Sequence, residues 1–315
     1  MAQAKGVKAQ LLGAIAETVY GSDPSSVSAV NLPINSSAIR AAQNVNPPET
    51  IRNNRNPVQP FLGNITVGGD VVIPVDLVNI GWWLKMLLGA PVTSGETAPY
   101  THTFKPADSL ASYVFEQGYT DIGKYQKFNG CKLKALDFSF GGDKELTAKA
   151  SIVGAKETLG TSSVDETPTV ETFSRFNNFQ ASIKEGGSSI ATVKEVQLTI
   201  SNELDEDTYV IGGSGVRGSL PEGLCQVSGS IKAMFEDWTL YTKAVAGTES
   251  SLEVTLTNGS YSLALYVPEL LYGRNAPGIE TPGGIWIDCK FQGYYDNNAD
   301  AAAVKATLIN AKSAY

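Results

Sequence analysis

The residues best equipped for chemistry in this chain are few and scattered. His102 is the single histidine. It sits in YTHTF, whose alternation reads as a strand, and no serine or cysteine motif accompanies it to make a nucleophile–base pair. It is expected as a surface or inter-strand histidine. GGSGVRG, residues 212–218, is glycine-rich but lacks the Gly-Lys-Ser/Thr ending of a P-loop and the strand-to-helix setting of a dinucleotide fingerprint, so it reads as a mobile loop. ELDED (203–207) and DNNAD (296–300) gather carboxylates and amides as calcium loops do, without the glycine and terminal glutamate of an EF-hand, and read as solvated turns. Cys131, Cys225 and Cys289 are odd in number and widely spaced, which suits neither a disulfide framework nor a zinc cluster; buried free thiols are expected. Sequons at Asn35, Asn64 and Asn258 matter only in a secreted protein. No catalytic, cofactor or metal site is expected.

Composition points the same way. Charged residues make up 18% of the 315, below the roughly 25% of an average soluble protein, so much of the surface need not face water. The net charge of −8 argues against gripping nucleic acid by neutralising phosphates. It leaves open an acidic wall past which DNA slides, as well as plain solubility. The apolar patch of MAQAKGVKAQLLGAIAE is broken by Glu17 and leads to no secretory cleavage site, so a cytoplasmic protein is expected.

The elements that would position any site begin with VVIPVDLVNIGWWLKMLLGAP, residues 71–91. Pro74, Asp76, Asn79 and Lys85 exclude a membrane span. Val71, Ile73 and Val75 alternate as a strand, whereas Leu77, Ile80, Leu84 and Leu87 recur at helical spacing. A strand therefore leads into a short helix, Leu77 to Leu88, with Asp76 as N-cap, Gly89 as left-handed C-terminal residue and Pro91 beyond it. The helix is apolar almost all round. Trp82 or Trp83 must leave the core stripe, either toward a partner or into a second face of one large core. Alternation marks further strands at 112–119, 131–140, 145–155, 193–201, 226–235, 251–258, 261–267 and 284–295, with Gly141, Gly142 and Asp143 turning a hairpin.

Residues 158–172 are polar, aperiodic and contain Pro168, and read as a linker between a first domain (1–157, with an N-terminal arm and a long loop) and a second (173–315). An offset of 158 supports tandem repetition. It places Gly89 on Gly247, Lys85 on Lys243, Trp83 on Tyr241 and Cys131-Lys132 on Cys289-Lys290, and the helix returns as DWTLYTKAVAG (237–247).

The succession LPINSSAIRAAQN, RNPVQPFLGNITVGGDVVIPVDLVNIGWWLKMLLGAP, YTHTFKP and NGCKLKALDFSFGGDKELTAKASIVGAKET resembles the tail tube proteins of long-tailed, siphovirus-type bacteriophages, densely from about residue 6 to 160 and more thinly afterwards. The Arg-Asn-Pro-x-x-Pro segment (Arg55 to Pro60), the strand–helix and the Gly-Gly-Asp hairpin are its most specific parts. The resemblance implies a mainly β fold of tandem β-sandwich or barrel-like domains, each with one flanking α-helix, whose inner sheets join into a ring-shaped barrel. It implies a non-enzymatic structural subunit of the virion tail, assembled in the host cytoplasm. Rings of the chain would stack into a tube through which double-stranded DNA passes at ejection without specific binding. Two domains per chain favour a trimer with pseudo-sixfold symmetry over a hexamer. Tape measure, terminator and tip proteins are implied as neighbours. Interface candidates are Trp82, Trp83, Arg55, Pro57, Trp238 and Tyr241. Two further expectations follow: residues 35–59 form a loop that orders only when rings stack, and part of the acidic excess lines the channel. The alternative from another class is a carbohydrate-binding β-sandwich, an adhesin or lectin module; polymerisation separates the two.

Overall fold

A computed structural model of the chain describes residues 3–279 and 282–315. It is mainly β, with two helices and an extensive antiparallel sheet system. The first strand, Ala9–Ala16, was legible only as an apolar patch. Its Glu17 is buried and accepts hydrogen bonds from the Gly130 and Gly21 amides, both at 2.9 Å, and from Ser112 Oγ at 2.6 Å. That carboxylate satisfies the backbone where the 18-residue strand Lys124–Gly141 bends at Gly130 (φ +67°) from one sheet into another. A side chain at 130 would meet Ala155 and Tyr20 at 2.8 and 2.9 Å, so only glycine serves there.

One scheme of strand partners occurs in each half. In the first, Phe61–Pro74 lies between Arg40–Asn46 and Thr147–Gly154, and the latter pairs with the C-terminal part of Lys124–Gly141. The N-terminal part of that long strand pairs with Tyr113–Tyr119, itself beside Ala9–Ala16, and with Lys156–Gly160. In the second, Gln226–Met234 lies between Val193–Ser201 and Trp286–Tyr294, which pairs with the C-terminal part of Tyr261–Tyr272. The N-terminal part of that strand pairs with Ser250–Asn258, itself beside Ala181–Glu185, and with Lys305–Asn310. A helix follows Phe61–Pro74 (α1, Ile80–Leu88) and another follows Gln226–Met234 (α2, Thr239–Ala246).

The constant offset of 158 holds through the helices and then breaks. Ile231, which the offset places on Ile73, pairs with Cys289 as Ile73 pairs with Ala148, so Cys289 answers to Ala148 and not to Cys131. The cause is an additional hairpin in the first half, Val92–Ser94 with Tyr100–Phe104, which has no counterpart after α2 and adds itself to the strand Lys305–Asn310.

α1 is shorter than expected, starting at Ile80, because Asp76 reaches over a turn: its Oδ1 accepts the Ile80 amide at 2.9 Å and its Oδ2 the Asn79 amide group at 2.7 Å. Burial pushes the Asp76 carboxyl up against the opposing pull of those hydrogen bonds. Gly89 ends the helix with φ +102°, and Gly247 ends α2 in the left-handed region, φ +62°. Residues 35–59 depart from the expected long loop. Ser36–Ser37 and Arg40–Asn46 pair with Phe61–Pro74, leaving only 47–60 irregular. The strand escaped notice because it is exposed along most of its length and so lacks apolar alternation. Thr158–Gly160 complete a strand; beyond them Asp165 caps the Ala29 amide and Val164 the buried Glu116, so this stretch is tied down along its course.

Candidate assembly interface

The two halves meet in a continuous sheet. Ala135 to Gly141 pairs antiparallel with Glu195 to Ser201, in register Phe140↔Val196, Phe138↔Leu198 and Leu136↔Ile200. The sheet therefore runs through eight strands, from Arg40–Asn46 at one edge to the end of Tyr261–Tyr272 at the other. Its inward row (Val71, Ile73, Ala150, Leu136, Phe138, Val196, Leu198, Val227, Ile231, Cys289) belongs to one hydrophobic cluster spanning both halves.

The loop 202–225 of the second half straps this seam. Arg217, 6% exposed, donates from Nη1 to the Gly154 carbonyl (2.8 Å) and the Val67 carbonyl (3.3 Å) of the first half, and from Nε to its own loop at Glu206 O (2.8 Å). The Ile65 amide donates to Gly215 O at 2.7 Å, and the Tyr209 hydroxyl to Ile65 O at 2.9 Å. Lys132 pairs with Glu222 at 2.5 Å. Burial works to raise the Glu222 carboxyl, but hydrogen bonds from Lys132 and the Leu110 amide outweigh it and hold it below its usual range. GGSGVRG is thus not a free loop: its one charged residue is the clamp.

Trp83 is core, 1% exposed and stacked on Phe115 at 6.0 Å. Trp82 faces the chain's C-terminal residues, edge-on to Tyr315 at 5.3 Å with the Lys312 ammonium 5.1 Å from its ring. Tyr315 is itself fixed: its hydroxyl donates to Val78 O at 2.7 Å. Beside it His102 is fully buried, joined to Thr93 Oγ1 and Lys312 O at 2.8 Å each, an inter-strand and not a surface histidine. α2 differs sharply from α1. None of its residues is buried, Trp238 is 56% and Val245 44% exposed, and Trp238 leans on Phe235 and Tyr241. Arg55 and Pro57 are exposed in the loop 47–60, where Arg52 donates to the carbonyls of Asn56 and Pro57. Among the described residues no hydrogen bond, ion pair or ring contact joins these three groups of candidates. Arg217, Lys132–Glu222 and Tyr315 were absent from the sequence reading; the lone arginine in a glycine-rich loop was the one local signal.

The outward face of the sheet is polar and built of small residues. Ser139, Ser151, Thr199, Ser228, Ser230 and Gln197 alternate with the buried row, and the charges include Asp70, Asp137, Glu195 and Asp288 against Arg40, Lys134, Lys149, Lys232 and Lys290. Lys149 lies 3.0 Å from Asp137. The expected concentration of acidity is not found on this face. The three thiols are free, and burial pushes those of Cys225 and Cys289 up to about 11. Among the described residues there is no cluster of three metal-ligating side chains, and no helix long and apolar enough to cross a membrane.

Among the described residues, a free sheet edge at Arg40–Asn46, a short one at Leu271–Tyr272, an uncovered helix flank and a polar sheet face define a protein whose open features are surfaces for association. The family model for phage tail tube proteins matches residues 8–293, and the chain belongs to that family. It is a structural subunit of a bacteriophage tail tube, located in the virion tail, and the tube is built by stacking copies of the subunit. No curated protein matched the chain.

Proposed function

We propose that the chain consists of two tandem tube domains, residues 1–157 and 173–315 joined by 158–172, and that its copies close head to tail into rings around a channel. The observation that carries this reading is the seam within the chain. Ala135–Gly141 pairs with Glu195–Ser201, and by their positions in the two partner schemes the counterparts of these strands with a free edge are Leu271–Tyr272, at the end of Tyr261–Tyr272, and Arg40–Asn46. An edge of one copy then meets the complementary edge of the next, a heterologous contact that closes when the rotation divides the circle. Three copies give six near-equivalent domains, and a hexamer is the alternative. The polar, nearly neutral sheet face is the channel wall, smooth and without a basic patch to retain DNA during ejection. Trp82 acts at the joint between the halves while Trp83 holds the first half's core behind it, and Trp238 and Tyr241 present the matching flank to the neighbouring copy, as Arg55 and Pro57 do from their loop. The subunit works without catalysis in a long, siphovirus-type tail, beside tape measure, terminator and tip proteins, after assembly in the host cytoplasm. End-on electron micrographs of concentrated protein test this: hollow rings or tubes with threefold averages are expected, and particles without a channel refute it.

A further inference from the structure

We infer that neighbouring copies join where Tyr272 of one pairs with Ile39 of the next, and that residues 41–46 of the free edge stay outside this joint. The inference rests on the head-to-tail ring proposed above and fixes a register that the ring does not by itself require.

The two partner schemes align residue by residue. With Val71 on Gly229 and Gly68 on Gln226, the pairs Ser37↔Val71 and Arg40↔Gly68 repeat as Leu198↔Gly229 and Ser201↔Gln226, so Ile39 answers to Ile200. With Ala148 on Cys289, Ala150 falls on Phe291, and Ala150↔Leu136 repeats as Phe291↔Tyr272, so Tyr272 answers to Leu136. Within the chain Leu136 pairs with Ile200. The same joint between chains is Tyr272 with Ile39, flanked by Leu271 with Arg40. Beyond Arg40 the first half runs on as an exposed strand, whereas beyond Ser201 the second half leaves the sheet as the strap 202–225, which is why residues 41–46 have no counterpart in the seam.

Hydrogen-bond direction gives an independent check. In an antiparallel ladder the amide and carbonyl of one residue point to the same side, and alternate residues point alike. In the internal seam the Asn202 amide donates to Lys134 O at 2.8 Å, which turns Ile200 toward that same strand. On one free edge the Ala38 amide donates inward to Asp70 O at 2.8 Å, so Ile39 turns outward; its carbonyl takes the Gln117 side-chain amide at 2.8 Å, and its own amide reaches only Ser37 Oγ at a marginal 3.5 Å. On the other edge the Gly273 amide donates inward to Lys290 O at 2.8 Å, so Tyr272 turns outward. Ile39 and Tyr272 each offer a donor and an acceptor, as a hydrogen-bonded pair requires, and the second lone pair of the Ile39 carbonyl is available beside Gln117. Their side chains agree, since both are buried in the cluster that spans the halves. A slip of one residue would set outward groups against inward ones and turn a buried side chain to the polar face.

Leu271 and Arg40, both exposed, supply the test. Beside a hydrogen-bonded pair they take the closer, non-hydrogen-bonded position, with Cα atoms about 4.5 Å apart, within disulfide reach. Cysteines are placed at both in a Cys225→Ser chain, the other two native thiols being buried. The assembled protein is oxidised and run on a denaturing gel. A ladder that stops at the ring number is expected for Leu271→Cys with Arg40→Cys, and none for Leu271→Cys with Ala42→Cys, which lies roughly 7 Å further along the strand. Ala135→Cys with Ser201→Cys, the counterpart pair, is expected to close within each chain and give no ladder. If a double variant does not assemble, chains carrying Leu271→Cys alone and Arg40→Cys alone are mixed into an excess of unmodified protein, where a crosslinked dimer is expected for this combination and not for Leu271→Cys with Ala42→Cys. Rings or tubes in which the Arg40 combination stays uncrosslinked by both routes, or in which Ala42 crosslinks in its place, overturn the register and leave the ring intact. Absence of rings or tubes from the unmodified protein removes the ring reading and this joint together.

Discussion

Replacing Arg217 by alanine removes the charged donor that ties the second half's loop to the first half. Its Nη1 serves two carbonyls across the seam and its Nε one on its own loop. A hydrogen bond to a charged group contributes about 1.5–3 kcal/mol, and a buried acceptor left alone costs its desolvation. The ion pair with Glu206, 3.5 Å away, is discounted to near zero because that carboxylate is 36% exposed. The Val67 bond, at 3.3 Å, is the weaker of the two across the seam, and neighbouring losses are not additive. The expected loss is therefore about 3–5 kcal/mol for Arg217→Ala. Arg217→Lys keeps the charge but offers a point donor in place of the fork, so it reaches one carbonyl and loses about 1–3 kcal/mol. Urea unfolding followed by tryptophan fluorescence reads this directly. With a slope of about 3 kcal/mol/M, the alanine variant's midpoint falls by about 1–1.7 M. The transition is also expected to split, since the strap coupling the halves is gone. A midpoint within about 0.2 M of the parent, with a single transition, would refute the clamp as an energetic element.

Trp83→Ala opens a cavity in the first half's core and is expected to cost about 3–5 kcal/mol, whereas Trp82→Ala, which uncovers Tyr315, costs about 1–2 kcal/mol; paired thermal melts give the order, and equal losses contradict the division of the helix into two unlike faces. Asp76→Asn retains an oxygen for the Ile80 amide while removing a charge that burial disfavours, so its stability should match or exceed the parent at neutral pH, whereas Asp76→Ala loses about 1–2 kcal/mol. Because the folded Asp76 carboxyl titrates above its ordinary value of 3.8, its contribution is fully present below that value and fades as pH rises through the folded pKa. Glu222 works in the opposite sense. Its folded pKa lies below its ordinary 4.5, so the stability of the Lys132 pair is present above that value and fades as pH falls through the depressed pKa. The protection of amides 203–224 from hydrogen exchange, corrected for intrinsic rates, should therefore fall as pH drops through the depressed Glu222 pKa, below 4.5, and Glu222→Gln should remove that dependence.

What the sequence determined by itself is what neighbouring residues decide among themselves. Period-two alternation marks Val193–Ser201 to the residue and Gln226–Met234 to within one, because each has one wet and one dry face; Asp76, Gly89, Asp237 and Gly247 punctuate two helices through contacts within a turn. That the chain holds one histidine and three cysteines is equally readable, since it is a matter of inventory. Arg40–Asn46 was not readable, because an exposed edge strand carries no alternation, and Trp82 could be separated from Trp83 only in kind. Tertiary structure alone decided which strands pair, and so where the two halves join. It brought Val67, Gly154 and Arg217 together from distant parts of the chain, turning a glycine-rich loop with one charge into a buried clamp. Backbone carbonyls are the same at every position in a sequence; only the fold determines which of them are left facing a guanidinium.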